Sequence, residues 1–335
     1  MPRRFLRGSD SLEPTPPDLF FDRRRFIAAL GLGAISARAG LAQGLSERQP
    51  IEVPLKRPDV FPPKPNEAYA LPDGIATELT TRIKAATHNN YYEFLPGRGG
   101  PAWQFTGNFE VEPWKVEVSG HCAKPATFDL DALFAFAHEE RLYHFRCVER
   151  WAMNVPWSGF PLSRLLEKVE PTAKARYLRF ETVHRPEQMP GIGQSSWYPW
   201  PYHEALRIDE AMNELAMVVT GVYGEPLLKQ HGAPVRIIVP WKYGYKSPKS
   251  IVKIELVEKE PKTFWQMQAH EYGFLSNINP NIPHPRWSQA ESYWLDSGDR
   301  FPTQIFNGYG KHVAALYPDE PTTPQKPLRE GQVAR

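Results

Sequence analysis

The side chain best placed to do chemistry is Cys147, in Arg146-Cys147-Val148-Glu149-Arg150-Trp151-Ala152-Met153. It ends an alternating run, Leu142–Cys147, that reads as a strand. The prolines of Pro156-Trp157-Ser158-Gly159-Phe160-Pro161 predict irregular backbone just beyond it. A thiol at such a strand-to-loop junction is placed to point into a cleft. Three chemistries suit it. A soft thiolate can hold a redox metal. A nucleophilic cysteine needs a paired imidazole, and His144, three residues back along the strand, faces the other way. A structural cysteine is either a buried free thiol or the disulfide partner of Cys122, the one other cysteine of the chain.

Other familiar sites are missing. There is no C-x-x-C-H haem attachment, no H-E-x-x-H zinc helix and no G-x-x-x-x-G-K-[ST] phosphate loop. Gly97-Arg98-Gly99-Gly100 reads as a turn, and the ten histidines show no metal-ligand spacing. With two cysteines the chain is neither a disulfide scaffold nor a Cys-rich zinc module. No apolar stretch reaches the roughly 20 residues needed to span a bilayer.

The elements that must position Cys147 are short. Among 335 residues there are 35 prolines, which disfavours a helical bundle, and 42 aromatics, which suit an aromatic-lined cleft. Of these, Trp151, Trp157, Tyr243 and Trp287 are candidates to line it, with core packing the expected role for most of them. Strand patterns occur at Trp114–Val118, Leu142–Cys147, Tyr177–Glu181 and Val235–Val239. Short helices are predicted near Ile75–Ala86, over Asp129–Ala137, over Arg164–Val169 with Ser163 as N-cap, and over Ile208–Leu215 with Asp209 and Glu210 in its first turn. The fold class is α+β, mainly β with mixed sheets and short helices, in one compact domain. Residues 43–80 read as a Pro-rich arm laid over a body of residues 81–335.

The first 42 residues have another composition: seven Arg, no Lys and four acids, against a remainder of net charge −1. Such a near-neutral body carries no nucleic-acid footprint. Arg23-Arg24-Arg25-Phe26-Ile27 precedes a weakly apolar run, Phe26–Ser36, closed by Ala37-Arg38-Ala39 or Gly40-Leu41-Ala42. The arginine pair followed by Phe26 reads as a twin-arginine export signal over residues 1–42, cleaved after Ala39 or Ala42, and predicts a periplasmic protein. That route carries folded cargo with its cofactor already loaded.

From Asn89 to Gly310 the chain resembles the molybdenum-containing catalytic subunit of the bacterial periplasmic protein-methionine-sulfoxide reductase, which has the sulfite-oxidase-type fold. The resemblance rests on His88-Asn89-Asn90-Tyr91-Tyr92-Glu93-Phe94; on Arg146–Met153 with Pro156-Trp157; and on Phe180-Glu181-Thr182 with Pro186-Glu187-Gln188-Met189-Pro190. It extends through Gly232-Ala233-Pro234-Val235-Arg236, Pro240-Trp241-Lys242-Tyr243-Gly244, Lys249-Ser250-Ile251 and His284-Pro285-Arg286-Trp287-Ser288-Gln289-Ala290.

The resemblance implies that Cys147 is the catalytic residue and the single protein ligand of molybdenum, beside the dithiolene sulfurs of a molybdopterin. It implies one mononucleotide-free molybdenum-molybdopterin per chain. Asn89, Tyr92, Glu93, Thr182, His231, Arg236 and Ser247-Pro248-Lys249 would hold the pterin and its phosphate, with Arg236 and Lys249 supplying positive charge. His231 stands where the family pattern often has Asn before Gly-Ala-Pro, and an imidazole can still donate or accept one hydrogen bond. Cys122 takes no role from the family pattern.

The reaction implied is oxygen-atom transfer from methionine sulfoxide residues of oxidised periplasmic proteins, a repair of oxidative damage. Electrons would come from a haem-binding integral membrane subunit, in a heterodimer, fed by the quinone pool. Two other classes compete: a sulfite-oxidase-like sulfite dehydrogenase, and a non-enzymatic periplasmic binding protein with Cys122 bonded to Cys147.

Overall fold

The computed structural model describes residues 49–95 and 100–334. The predicted export signal and the predicted turn at Gly97–Gly99 lie outside them. In chain order the strands are β1 Lys64–Pro65, β2 Lys115–Gly120, β3 Ala126–Asp129, β4 Glu139–Arg146, β5 Trp151–Pro161 and β6 Tyr177–Thr182. They continue with β7 His203–Arg207, β8 Met217–Val222, β9 Glu225–Pro226, β10 Arg236–Ile238, β11 Ile251–Val257, β12 Glu291–Trp294 and β13 Arg300–Pro302. The α-helices are α1 Arg82–Thr87, α2 Leu130–Phe134, α3 Leu162–Val169, α4 Pro190–Gln194, α5 Ile208–Ala211 and α6 Gly310–Val313.

Two sheets result. One has eight strands and is organised around β5, which pairs antiparallel with β4 and β8 and parallel with β12; the other has five, ordered β3-β2-β11-β6-β7. A single buried cluster, drawn from both sheets and the short helices, joins them into one core. This is the mainly-β, mixed-sheet α+β architecture that the sequence pattern predicts. None of the helices among the described residues is long and apolar enough to cross a membrane.

β5 departs from expectation. The irregular backbone predicted for Pro156–Pro161 is instead the second half of an eleven-residue strand, buried from Trp151 to Phe160. Two local features make this possible. The Pro156 carbonyl accepts Tyr223 N–H at 3.0 Å, on the side where β8 ends, so the proline's missing N–H costs no bond to β4. At Gly159 a bulge lets β8 close in: a Cβ there would meet the Val218 carbonyl oxygen at 2.1 Å.

Helix boundaries shift for tertiary reasons. The helix expected near Ile75–Ala86 begins only at Arg82, because the Asn154 side chain donates to the Ala76 and Glu78 carbonyls at 2.7 and 3.0 Å. There the backbone is tied to Asn154 in an extended course rather than wound into helical turns. Asp129 caps α2, accepting Ala132 N–H at 2.9 Å, and the helix stops at Phe134 rather than Ala137. α3 starts at Leu162 with no cap from Ser163, since Leu162 N–H goes to the Ala216 carbonyl. Its Leu162, Leu165, Leu166 and Val169 form one buried stripe. α5 ends at Ala211, short of the predicted Leu215.

Candidate functional site

Cys147 sits in the four-residue turn between β4 and β5. Its N–H donates to the Trp151 carbonyl and its own carbonyl accepts Arg150 N–H, both at 3.0 Å, with Arg150 at φ +77°. Arg146, fully buried, clasps this hairpin to the neighbouring strands: Nε donates to Ser292 Oγ at 2.7 Å and Nη2 to the Glu291 carbonyl at 3.3 Å. His144 faces away, as the alternation predicts, with Nδ1 2.8 Å from Asn154 Oδ1.

Three further segments close a pocket over the thiol. Residues 88–94 follow α1; Asn89 Nδ2 donates to the Ala85 carbonyl at 3.0 Å and the Tyr91 hydroxyl to Ser250 Oγ at 2.6 Å. Residues 229–236 form a 3-10 turn and a left-handed Gly232, after which Arg236 donates to the His231 and Ser247 carbonyls at 2.7 and 3.1 Å. Gly232 has to be glycine: φ is +96°, and a Cβ would lie 2.6 Å from Lys249 Cβ. Residues 241–250 supply Ser247 and Lys249, and are pinned by two wholly buried ion pairs, Lys242–Glu210 at 2.7 Å and Lys246–Glu204 at 2.6 Å. Lys249 Nζ donates across the pocket to the Asn90 carbonyl at 2.9 Å.

The pocket encloses about 920 Å³, including the open space at its mouth. Cys147, Asn89, Tyr92, Glu93, His231, Arg236, Ser247 and Lys249 all line it. Thr182 and Pro248 stand one layer behind: Thr182 Oγ1 donates to Glu93 Oε1 at 3.4 Å, and the Pro248 carbonyl accepts Ile237 N–H at 3.0 Å. Trp151 and Trp157 face the pocket. Tyr243 and Trp287, also expected there, do not: the Arg146 guanidinium lies over the Tyr243 ring, and Trp287 Nε1 donates to the Val148 carbonyl at 3.0 Å.

Sequence reasoning left several wall residues without a role. Asn90 Nδ2 donates to the Cys147 sulfur at 3.3 Å, and Glu149 N–H does so at 3.4 Å. Tyr202, Trp265 and Tyr272 complete an aromatic wall with Tyr92; Trp265 packs 5.0 Å from both Tyr92 and Tyr272. Asn90 lies inside the His88–Phe94 motif, so the motif itself was the signal. The three distant aromatics carry none.

The electrostatics are those of a site short of an anion. Burial brings Arg236 down to about 9, and burial with repulsion from Arg236 brings Lys249 down to about 7. Neither cation has a salt-bridge partner among the described residues. Burial lifts Glu93 to about 7 and lowers His231 to about 4. It also pushes the Cys147 thiol well up, with the Glu149 carboxylate adding to the rise. A thiol here keeps its proton unless a cation lies against the sulfur.

Six buried polar atoms lining the pocket have no hydrogen-bond partner: His88 Nε2, Asn89 Oδ1, Asn90 Oδ1, Trp157 Nε1, His231 Nδ1 and Arg236 Nε. Leaving such atoms unpaired costs about 1–3 kcal/mol each. A flat, hydrogen-bonding ring system with an anionic tail matches that set. Among the described residues no cluster of three or more His, Cys, Asp or Glu could chelate a metal. A metal here would bond one thiolate and take its other ligands from a cofactor. The residues present fit a molybdopterin. Both cysteines are free, with Cys122 half-exposed beyond β2, so the bonded pair of the binding-protein reading does not form.

Comparison with known proteins agrees with the chemistry of this pocket. Residues 104–265 match the family model described as oxidoreductase molybdopterin binding domain. The protein-methionine-sulfoxide reductase catalytic subunit of Burkholderia mallei is 45% identical over 324 residues, 94% of this chain and 95% of that protein. The same subunit from Ralstonia nicotianae is 45% identical over 327 residues, 94% of this chain and 96% of that one. A looser match among solved structures, the sulfane dehydrogenase SoxCD of Paracoccus pantotrophus, has a TM-score of 0.45 at 14% identity, covering 81% of this chain and 62% of that one. From 45% identity to those two subunits along nearly its whole length, the chain belongs to the family of protein-methionine-sulfoxide reductase catalytic subunits.

Proposed function

We propose that the chain reduces methionine sulfoxide residues of proteins to methionine, using one mononucleotide-free molybdenum-molybdopterin bound in the Cys147 pocket. The observation that carries this is the six unpartnered polar atoms and two unpaired cations gathered around one buried thiol. The extent of identity with named reductases supports the choice of reaction.

When bound, molybdenum supplies the two-electron chemistry that takes the sulfoxide oxygen and leaves a thioether, with two electrons and two protons returned to release water. The protein's residues do the rest. Cys147, once deprotonated, would be the metal's thiolate ligand. The Asn90 amide and Glu149 N–H, both donating to that sulfur, disperse its charge and hold its direction. Arg236 and Lys249 take the cofactor phosphate, while Asn89, His231 and Ser247 orient the pterin. Glu93, which burial keeps protonated up to about pH 7, can donate to it below that pH. Thr182 and Pro248 hold Glu93 and β10 in place from behind. Tyr92, Trp265 and Tyr272 keep bulk water from one wall.

Residues 1–42 are proposed to export the folded, loaded enzyme to the periplasm by the twin-arginine route, ahead of the arm 43–80 and the catalytic body 81–335. The chain shows no haem motif, so its electrons are proposed to come from a haem-binding membrane subunit joined to the quinone pool. In that setting the reaction repairs oxidised periplasmic proteins.

Metal and pterin analysis of the purified protein, paired with reduction of an oxidised protein by an artificial electron donor, tests this reading. We expect one molybdenum and one pterin per chain and formation of methionine. Protein without either, or loaded protein that oxidises sulfite and leaves sulfoxide untouched, would overturn it.

A further inference from the structure

A second and larger cleft, about 1570 Å³ with its open mouth included, adjoins the Cys147 pocket; Val148 and Tyr245 line both. Its outer wall is the C-terminal strap, residues 318–334. The strap is anchored where Glu320 accepts Asn277 and Asn279 side-chain N–H groups at 2.9 and 2.8 Å, where Gln325 N–H meets the Asn281 carbonyl, and where Ala334 N–H meets the Ala269 carbonyl. Its inner wall mixes apolar side chains, Leu275, Ile282 and Pro285, with one unsatisfied acceptor. Gln289 is 1% exposed; its Nε2 donates to the Val148 carbonyl at 2.9 Å, yet its Oε1 has no partner.

That combination suits one kind of occupant. A methionine sulfoxide side chain fills a narrow pocket, but the polypeptide carrying it needs a second surface for its flanks. An extended chain brings backbone N–H groups, which an orphaned carboxamide oxygen satisfies, and alternate side chains, which apolar walls bury. Val148, the residue after Cys147, lines both clefts.

We propose that this second cleft seats the polypeptide flanking an oxidised methionine while the sulfoxide enters the Cys147 pocket. The assignment rests on the reductase reading, and it makes the cleft the determinant of preference for protein-bound over free methionine sulfoxide.

The test uses the molybdenum-loaded full chain, one artificial electron donor and two substrates: an unfolded, chemically oxidised protein and free methionine sulfoxide. Two variants probe the cleft: Ile282→Lys, at a side chain 37% exposed, and a chain ending at Pro321 that keeps the Glu320 anchor. Each should raise KM for the oxidised protein about tenfold, the loss of one well-packed contact, with kcat and the free-sulfoxide KM unchanged. If the shortened chain fails to fold, Ile282→Lys alone decides. An unaltered protein KM, or equal losses on both substrates, would overturn the assignment. Binding of a fluorescently labelled oxidised polypeptide, read by anisotropy, separates this from failure of the chemistry. A parent enzyme that reduces no sulfoxide but binds the polypeptide, more weakly as Ile282→Lys, supports the cleft and removes the reductase reading.

Discussion

Cys147 would be inert on its own. Burial and the neighbouring Glu149 keep the thiol protonated, and its sulfur accepts from an amide and a backbone N–H with no imidazole among its hydrogen-bond partners. The activated-nucleophile chemistry open at the sequence level therefore lacks its base, while a metal cation would draw the proton off. Replacing this ligand with a harder oxygen should cost more than the roughly 10- to 100-fold typical of losing an outer-shell partner. Cys147→Ser should thus lose sulfoxide reduction while Arg236 and Lys249 still retain some pterin. Full activity of that variant with artificial donors would remove Cys147 from the site.

Glu93 offers a test at the same scale. Its folded value of about 7 lies above its ordinary 4.5, so burial penalises the charged form. In cofactor-free protein the carboxyl is neutral in both states below pH 4.5. As pH rises toward 7 the unfolded state ionises first, and stability falls. Glu93→Gln should remove this slope, matching the parent near pH 4 and exceeding it near pH 8 in denaturant titrations. Parallel pH curves for the two proteins would show that Glu93 does not titrate this way.

At the scale of elements, the site is an intersection of four short connections: the β4–β5 turn, the segment after α1, the turn before β10 and the segment before β11. Each combines a few hydrogen bonds of its own with contacts to its neighbours. The most exacting contact is between Gly232 and Lys249, where a side chain has neither the dihedral nor the space. Gly232→Ala should destabilise the fold by about 1–3 kcal/mol. Because the strain falls on Lys249, it should also lower pterin content at temperatures where the variant remains folded. Thermal unfolding with pterin fluorescence checks both, and a variant with normal pterin content would show that the Lys249 segment yields without loss.

For the whole molecule, the proposed cofactor and the proposed export have to be reconciled. A pocket walled by residues 88 to 272 forms only in the folded chain, so export of a loaded enzyme, if the export reading holds, requires export of a folded protein. Arg23→Lys together with Arg24→Lys preserves the positive charge of the leader but removes the planar guanidinium forks. Cell fractionation of this double variant should find molybdenum-loaded, active enzyme in the cytoplasm and none in the periplasm. Normal periplasmic accumulation would sink the twin-arginine reading.

The sequence by itself determined the class of fold, the cores of β2, β4, β6 and β10 and the helix around Arg164–Val169, because strand alternation and helix propensity are local properties. It also singled out Cys147 and the motifs whose side chains meet around it. Only the tertiary structure decided that β5 runs on through Pro156, because β8 ends where the missing N–H would have mattered. The same holds for the stretch before Arg82, whose carbonyls are taken by Asn154, 78 and 76 residues away in sequence. Tyr202, Trp265 and Tyr272 became pocket walls, and Thr182 and Pro248 supports behind them, through packing between distant segments. A side chain's type sets what it can bond; which of its possible partners it reaches depends on contacts that no local pattern encodes.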